Sequence, residues 1–138
     1  MRALAIDFGG KHIGVASGDD VSKLCSPRKA LAATGTLAKD AAAIRKVMID
    51  EEATIVVVGL PLDANGETKM SKICRQLGGK LSELGVHVKY VDESLTSLES
   101  ETAMLMAGLK GSQIRKNIDS EAACRILERF WETNGKEA

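Results

Sequence analysis

At 138 residues the chain has room for one ordinary domain with an adequate apolar core, and not for two. Apolar residues make up 44% and Phe, Trp and Tyr together only 3%, so the core is built from Ala, Val, Leu, Ile and Met, and aromatic platforms for stacking single-stranded bases are not expected. The formal net charge is zero, which removes a global basic field as a recruiter of nucleic acid and leaves a local basic patch open.

Ala3 to Phe8 reads as a strand, and its apolar run Ala3-Leu4-Ala5-Ile6 ends in the carboxylate of Asp7. A buried carboxylate must be paired, neutralised or metal-bound, so this position asks for a partner. Gly9-Gly10-Lys11 is a tight turn, and His12 to Ser17 is a second strand that forms a hairpin with the first. Leu24 to Ala32 reads as a poorer third strand, broken by Pro27. Leu37, Ala41, Ile44 and Met48 form one apolar helix stripe. Thr54 to Val58 is a continuous β-branched run, as expected of a parallel strand covered on both faces. It passes into the turn-rich loop Gly59 to Gly66.

Met70, Ile73, Leu77, Leu81 and Leu84 outline the next helix, closed by Gly85. Val86 to Val91 is another strand and carries Asp92-Glu93 at its end. Thr96-Ser-Leu-Glu99 is a capping-box pattern opening a helix through Met106. Gly108 to Lys116 reads as a basic connector, followed by a last helix from about Ile118 to Trp131 with Ile118, Ala122, Ile126 and Phe130 on one face. A hairpin meander followed by strand–helix units predicts an α/β fold: a mixed sheet of about five strands with helices on both faces.

Cys25, Cys74 and Cys124 are odd in number and lack C-x-x-C spacing, which argues against a disulfide framework or a zinc site and for plain thiols in a reducing cytoplasm. Asp7 interrupts the first apolar stretch, no cleavage-type segment follows, and no run approaches the ~20 apolar residues of a membrane span. A cytoplasmic location without a membrane partner is the expectation.

Ligands of open α/β sheets gather outside the carboxyl ends of the parallel strands, where Asp7 and the Asp92-Glu93 pair fall. Side chains alternate along a strand, so only one of Asp92 and Glu93 is expected at a shared site, and the pattern alone leaves open which. Asp119, near the start of the last helix, reads as a third member of the cluster or as a helix N-cap. Two carboxylates about 5 Å apart repel by roughly 3 kcal/mol at an effective dielectric near 20. A cluster of three therefore calls for divalent cations, whose chemistry on oxygen ligands is phosphodiester hydrolysis.

DFGGKHIGVA at 7–16, GLPLDANGE at 59–67, DESLTS at 92–97 and AGLKGSQIRKNIDSEAA at 107–123 resemble the YqgF/RuvX family in motif order and across essentially the whole chain. These bacterial proteins have an RNase H-like fold and are described as pre-16S rRNA nucleases and Holliday-junction-resolvase-like proteins. The resemblance implies one RNase H-like nuclease domain over 1–138, with Asp7, Glu93 and Asp119 as catalytic residues holding Mg2+ or Mn2+, two ions in all, and Asp92 as a neighbour of the site. It implies that Gly9 and Gly10 let the phosphate backbone approach, that Lys11 and His12 beside them bind substrate, and that the loop with Asn65 lines the substrate groove. Lys110, Arg115 and Lys116 are then candidate phosphate contacts that position substrate without reading sequence.

The family has arginine where this chain has His12 and Ser94, and neither residue reproduces a bidentate grip on phosphate. The expectation is retained metal chemistry with weaker or altered substrate binding. Processing of precursor 16S rRNA is the leading reading, with four-way DNA junction cleavage as the enzymatic alternative. A monomer fits the first, whereas symmetric junction cleavage needs a dimer. A binding module of the same fold that does not cleave is the reading from another class. Asp7-Phe8-Gly9-Gly10 as the phosphate loop of an actin-like ATPase would need two such domains, for which 138 residues are too few.

Overall fold

The structure is a computed structural model and describes residues 1–93 and 111–133, the side chains of 111–119 excepted. Strands β1 (Arg2–Phe8), β2 (His12–Asp19) and β3 (Leu24–Ala32) form the meander. Helix α1 (Leu37–Asp50), strand β4 (Ile55–Leu60), helix α2 (Lys69–Glu83), strand β5 (Val88–Asp92) and helix α3 (Gly111–Glu132) follow. The five strands lie in the order β3-β2-β1-β4-β5, antiparallel between β3, β2 and β1, and parallel between β1, β4 and β5. This is the expected mixed sheet. The helix expected over Thr96 to Met106 lies outside the described residues.

Alternation along the strands divides the core into two layers. Leu4, Ile6, Phe8, Val56, Val58 and Leu60 face α1 and α2, where they meet Ala41, Ile44, Cys74, Leu77 and Leu81. Ala3, Ala5, Ala16, Ile55, Val57 and Val91 face α3 and meet Ala123, Ile126, Leu127, Phe130 and Trp131. The alanines of this second face let α3 pack close to the sheet, as expected where backbone approach replaces bulky side chains.

Three expectations are corrected. Pro27 does not break β3, which runs unbroken because it is the edge strand among the described residues: its Pro27 pairs with Ala16, and no further described strand needs the missing N–H. Leu84 is not part of the apolar stripe of α2; it lies beyond the helix end at 43% exposure, and Gly85, at φ +83°, completes the stop. Residues 111–116, expected as part of a basic connector, belong to α3. Asp119 is consequently the ninth residue of that helix and not its N-cap.

The β2–β3 ladder slips between Ile13 and Val15, and a side chain from α3 fills the gap. The Val15 N–H donates to Ser120 Oγ at 3.3 Å, and Ser120 Oγ donates to the Arg28 carbonyl at 2.6 Å. Val15 pairs with Ile6, the residue before Asp7, so this bridge ties α3 at Ser120 to the sheet one residue from Asp7. Ser120→Ala leaves a buried N–H and a carbonyl without their partner and is expected to cost about 1–3 kcal/mol, measurable as a lower denaturant midpoint at constant m. One turn further along α3, Cys124 Sγ lies 2.9 Å from Cys25 Sγ on β3. The hydrogen bond to Cys124, and then burial, push the Cys25 thiol up, so it stays protonated.

Candidate active site

The parallel arrangement of β1, β4 and β5 brings their carboxyl ends to one edge of the sheet. Asp7 is the penultimate residue of β1 and has the parity of Ala3 and Ala5, which puts it on the α3 face. Val91 is on the same face, and Glu93 shares its parity; Tyr90 packs on the α1/α2 face, whose parity Asp92 has. Glu93 is therefore the acid that faces Asp7. The backbone holds it there: its N–H donates to the Leu60 carbonyl at 3.0 Å, and Arg129 Nη1 donates to the preceding carbonyl, that of Asp92, at 2.8 Å.

Between the two acids runs β4, and the residue of β4 at this level is Gly59, which pairs with Val91 and follows Val58, the partner of Ile6. The Glu93 carboxylate lies across the bare glycine and reaches Asp7, with which it shares a hydrogen bond. Glu93 is 8% exposed, and burial, followed by the charge of Asp7, its hydrogen bond and the charge of Asp92, pushes its carboxyl up to about 10. Asp7 is half-buried. Behind the pair, burial and then the charges of Glu93 and Asp7 push the Cys74 thiol of α2 up to about 12.

This donor set fits a hard divalent cation. Two carboxylates in contact repel unless a proton or a cation lies between them, and the charges of Asp7 and Asp92 both raise the Glu93 carboxyl. Asp7 and Glu93 would hold a doubly charged ion in place of the proton, which would reverse the sign of the interaction, and Mg2+ and Mn2+ prefer such oxygen ligands. Among the described residues no group of three or more His, Cys, Asp and Glu gathers. The third acid, Asp119, is placed by its backbone seven residues before Ile126 on α3, next to the Ser120 bridge, and its side chain lies outside the described set.

The other expected site residues divide. Gly9 and Gly10 follow β1 in an exposed turn closed by the Gly9 N–H donating to the His12 carbonyl at 3.0 Å, and Gly10 has φ +85°, which a side chain would strain. Lys11 and His12 are exposed at the same edge, with the Lys11 carbonyl held by the Ala33 N–H at 2.9 Å. Asn65 is exposed at the tip of the loop after β4, where its N–H donates to Asp63 Oδ1 at 2.8 Å. Arg115 and Lys116 lie in the early turns of α3 with side chains outside the described set, and Lys110 and Ser94 lie outside the described residues altogether. Gly59 and Ser120 were not among the expected site residues. Their signals in the sequence are slight: a glycine closing a β-branched run, and a serine beside a candidate acid.

A family model described as RuvX, Holliday junction resolvase, matches residues 1–133. A protein of Anaeromyxobacter dehalogenans named "Putative pre-16S rRNA nuclease" is 37% identical over 130 residues, covering 93% of this chain and 94% of its own. A protein of Clostridium beijerinckii with the same name is 35% identical over 132 residues, covering 94% and 95%. Among solved structures, Thermus thermophilus RuvC in complex with a Holliday junction substrate superposes with a TM-score of 0.56 at 15% identity, over 99% of this chain and 98% of that one. The large terminase nuclease of the thermophilic phage G20c gives a TM-score of 0.56 at 11% identity, over 94% and 81%. At these identities the two structures establish the RNase H-like fold.

Proposed function

Because this chain belongs to the RuvX family, we infer that it is a nuclease whose divalent metal is held by Asp7 and Glu93, with Asp119 as the third ligand. The observation that carries the reading is the buried Asp7–Glu93 contact over Gly59 at the carboxyl edge of the sheet. Asp7, Glu93 and Asp119 would hold Mg2+ or Mn2+, a pair of ions, which when bound would supply an activated water and stabilise the leaving oxygen. Asp7 and Glu93 give up their shared proton to the solvent when they bind metal, and the closed packing of Ile126 behind them excludes water from that side. The Gly9-Gly10 turn leaves the approach over Asp7 open to a phosphate backbone. Lys11, His12 and Asn65 border that approach, and Lys110, Arg115 and Lys116 complete the contacts to phosphate.

The substrate that the relatives' names favour is precursor 16S rRNA, processed in the cytoplasm by the whole chain acting as one domain. The family description, together with a fold neighbour solved on a Holliday junction, supports four-way DNA cleavage as the second reading, and with it a homodimer. No helix among the described residues is long and apolar enough to cross a membrane. End-labelled precursor rRNA and a four-way DNA junction, each incubated with Mg2+, Mn2+ or chelator, separate the two. Binding of either substrate without cutting under any metal would overturn the nuclease reading in favour of a binding module.

The substitution of arginine by serine at position 94 lies beside Glu93 and removes a bidentate phosphate donor that the family resemblance expects. Ser94→Arg is expected to tighten substrate binding roughly 10- to 100-fold, as one charge-assisted contact is worth about 1.5–3 kcal/mol. Equal affinity and rate in the two proteins would show that Ser94 does not limit binding.

A further inference from the structure

We propose that Gly59 is a positioning residue for Glu93: the missing side chain on β4 is the space through which the Glu93 carboxylate reaches Asp7. The proposal rests on the reading of Asp7 and Glu93 as metal ligands and adds a residue that touches neither metal nor substrate. A Cβ at position 59 would lie 2.8 Å from Glu93 Oε2 and 3.0 Å from its Cδ, and would also collide with Ile126 Cδ1. Both contacts are shorter than a real Cβ makes, so both side chains must shift. Ile126 is fully buried in the layer beneath α3, together with Ala123, Leu127 and Phe130, so its shift disturbs the core packing. For Glu93 the shift moves its carboxylate off the position from which it reaches Asp7.

The size of the movement decides its effect. Opening a 2.8 Å contact to the ~3.5 Å of ordinary packing shifts the carboxylate by about 0.7 Å. Preorganised ligands tolerate only about 0.5 Å. Loss of a group that orients a metal ligand typically lowers metal affinity 10–100-fold, and Gly59→Ala is expected to fall in that range.

The test is Mn2+ titration by calorimetry on the full chain, with thermal unfolding of the same samples, for wild type, Asp7→Asn, Gly59→Ala and the double variant Gly59→Ala/Ile126→Val. Removing the Ile126 Cδ1 methyl relieves one of the two collisions and leaves the other. The expected result is tenfold or weaker Mn2+ binding in both Gly59 variants, with Tm largely recovered in the double variant and affinity not. Should the single variant not fold, the double variant carries the same comparison. Mn2+ affinity that is unchanged, or fully restored by Ile126→Val, would show that Gly59 serves packing alone. A wild type that binds no Mn2+, or binds it equally after Asp7→Asn, would instead overturn the metal-site reading on which the proposal stands.

Discussion

Asp7→Asn is expected to abolish metal-dependent cleavage while leaving the metal-free protein at least as stable as wild type. The amide keeps the shape of the carboxylate and loses its charge, so one of the ligands that turn repulsion into metal binding disappears. Electrostatic stabilisation by a catalytic metal is worth several kcal/mol in the transition state, and each 1.36 kcal/mol is a factor of ten, so a loss of at least ~10^3-fold is expected. In the metal-free fold the same change removes a negative charge that bears on buried Glu93 and contributes to its raised pKa. Activity and metal-free stability should therefore move in opposite directions. A simple folding defect would lower both, and a site without metal would lower neither. Measuring kcat/KM beside Tm, with and without Mg2+, distinguishes the three, and the Tm increase that Mg2+ gives wild type should be absent in Asp7→Asn.

Glu93→Gln is expected to change how stability depends on pH. The Glu93 carboxyl has an ordinary value of 4.5 in the unfolded chain and is pushed up to about 10 in the fold by burial and by Asp7. The folded protein thus binds the extra proton throughout that window. The stability contributed by this group is complete below about pH 4.5 and is lost as pH rises towards 10. Between the ordinary value and pH 7 the loss is on the order of 3 kcal/mol at 1.36 kcal/mol per unit. Gln cannot ionise, so the metal-free variant should resist unfolding better than wild type at pH 7–8 and no better near pH 4. It should also fail to cleave. Denaturant unfolding at several pH values in chelator is the measurement; parallel pH profiles for the two proteins would show that Glu93 is not a buried protonated acid. Added Mg2+ should stabilise wild type more at pH 8 than at pH 6, because the ion must displace a proton whose release is favoured at high pH.

Both predictions concern acids that are visible from the chain alone to different degrees. Asp7 is the most legible residue of the site, since a carboxylate closing an apolar run declares its need for a partner without any tertiary information. The strands and helices were legible for a similar reason. The β-branched run before Gly59, the Leu37–Met48 stripe and the Gly85 stop are local patterns whose physics is complete within a few residues. Where local pattern misled, a neighbour was missing from it. Pro27 looks disruptive until β3 proves to be an edge strand, and the glycine and basic residues of 111–116 look like a loop until α3 is seen to run through them.

The order of elements, the α/β class and the carboxylate at the end of β1 are thus properties of the sequence by itself, because periodicity and burial cost act locally. The family resemblance named Glu93 over Asp92, but the physical reason is tertiary, since strand parity is meaningful only once Val91 is placed against α3 and Tyr90 against the opposite layer. The tertiary structure alone brought Cys25 to Cys124 and Ser120 to the slip in the β2–β3 ladder, pairs separated by about a hundred residues. It alone gave Gly59 a role as well. A glycine is silent about what fills the space it leaves, and here that occupant comes from the strand next door.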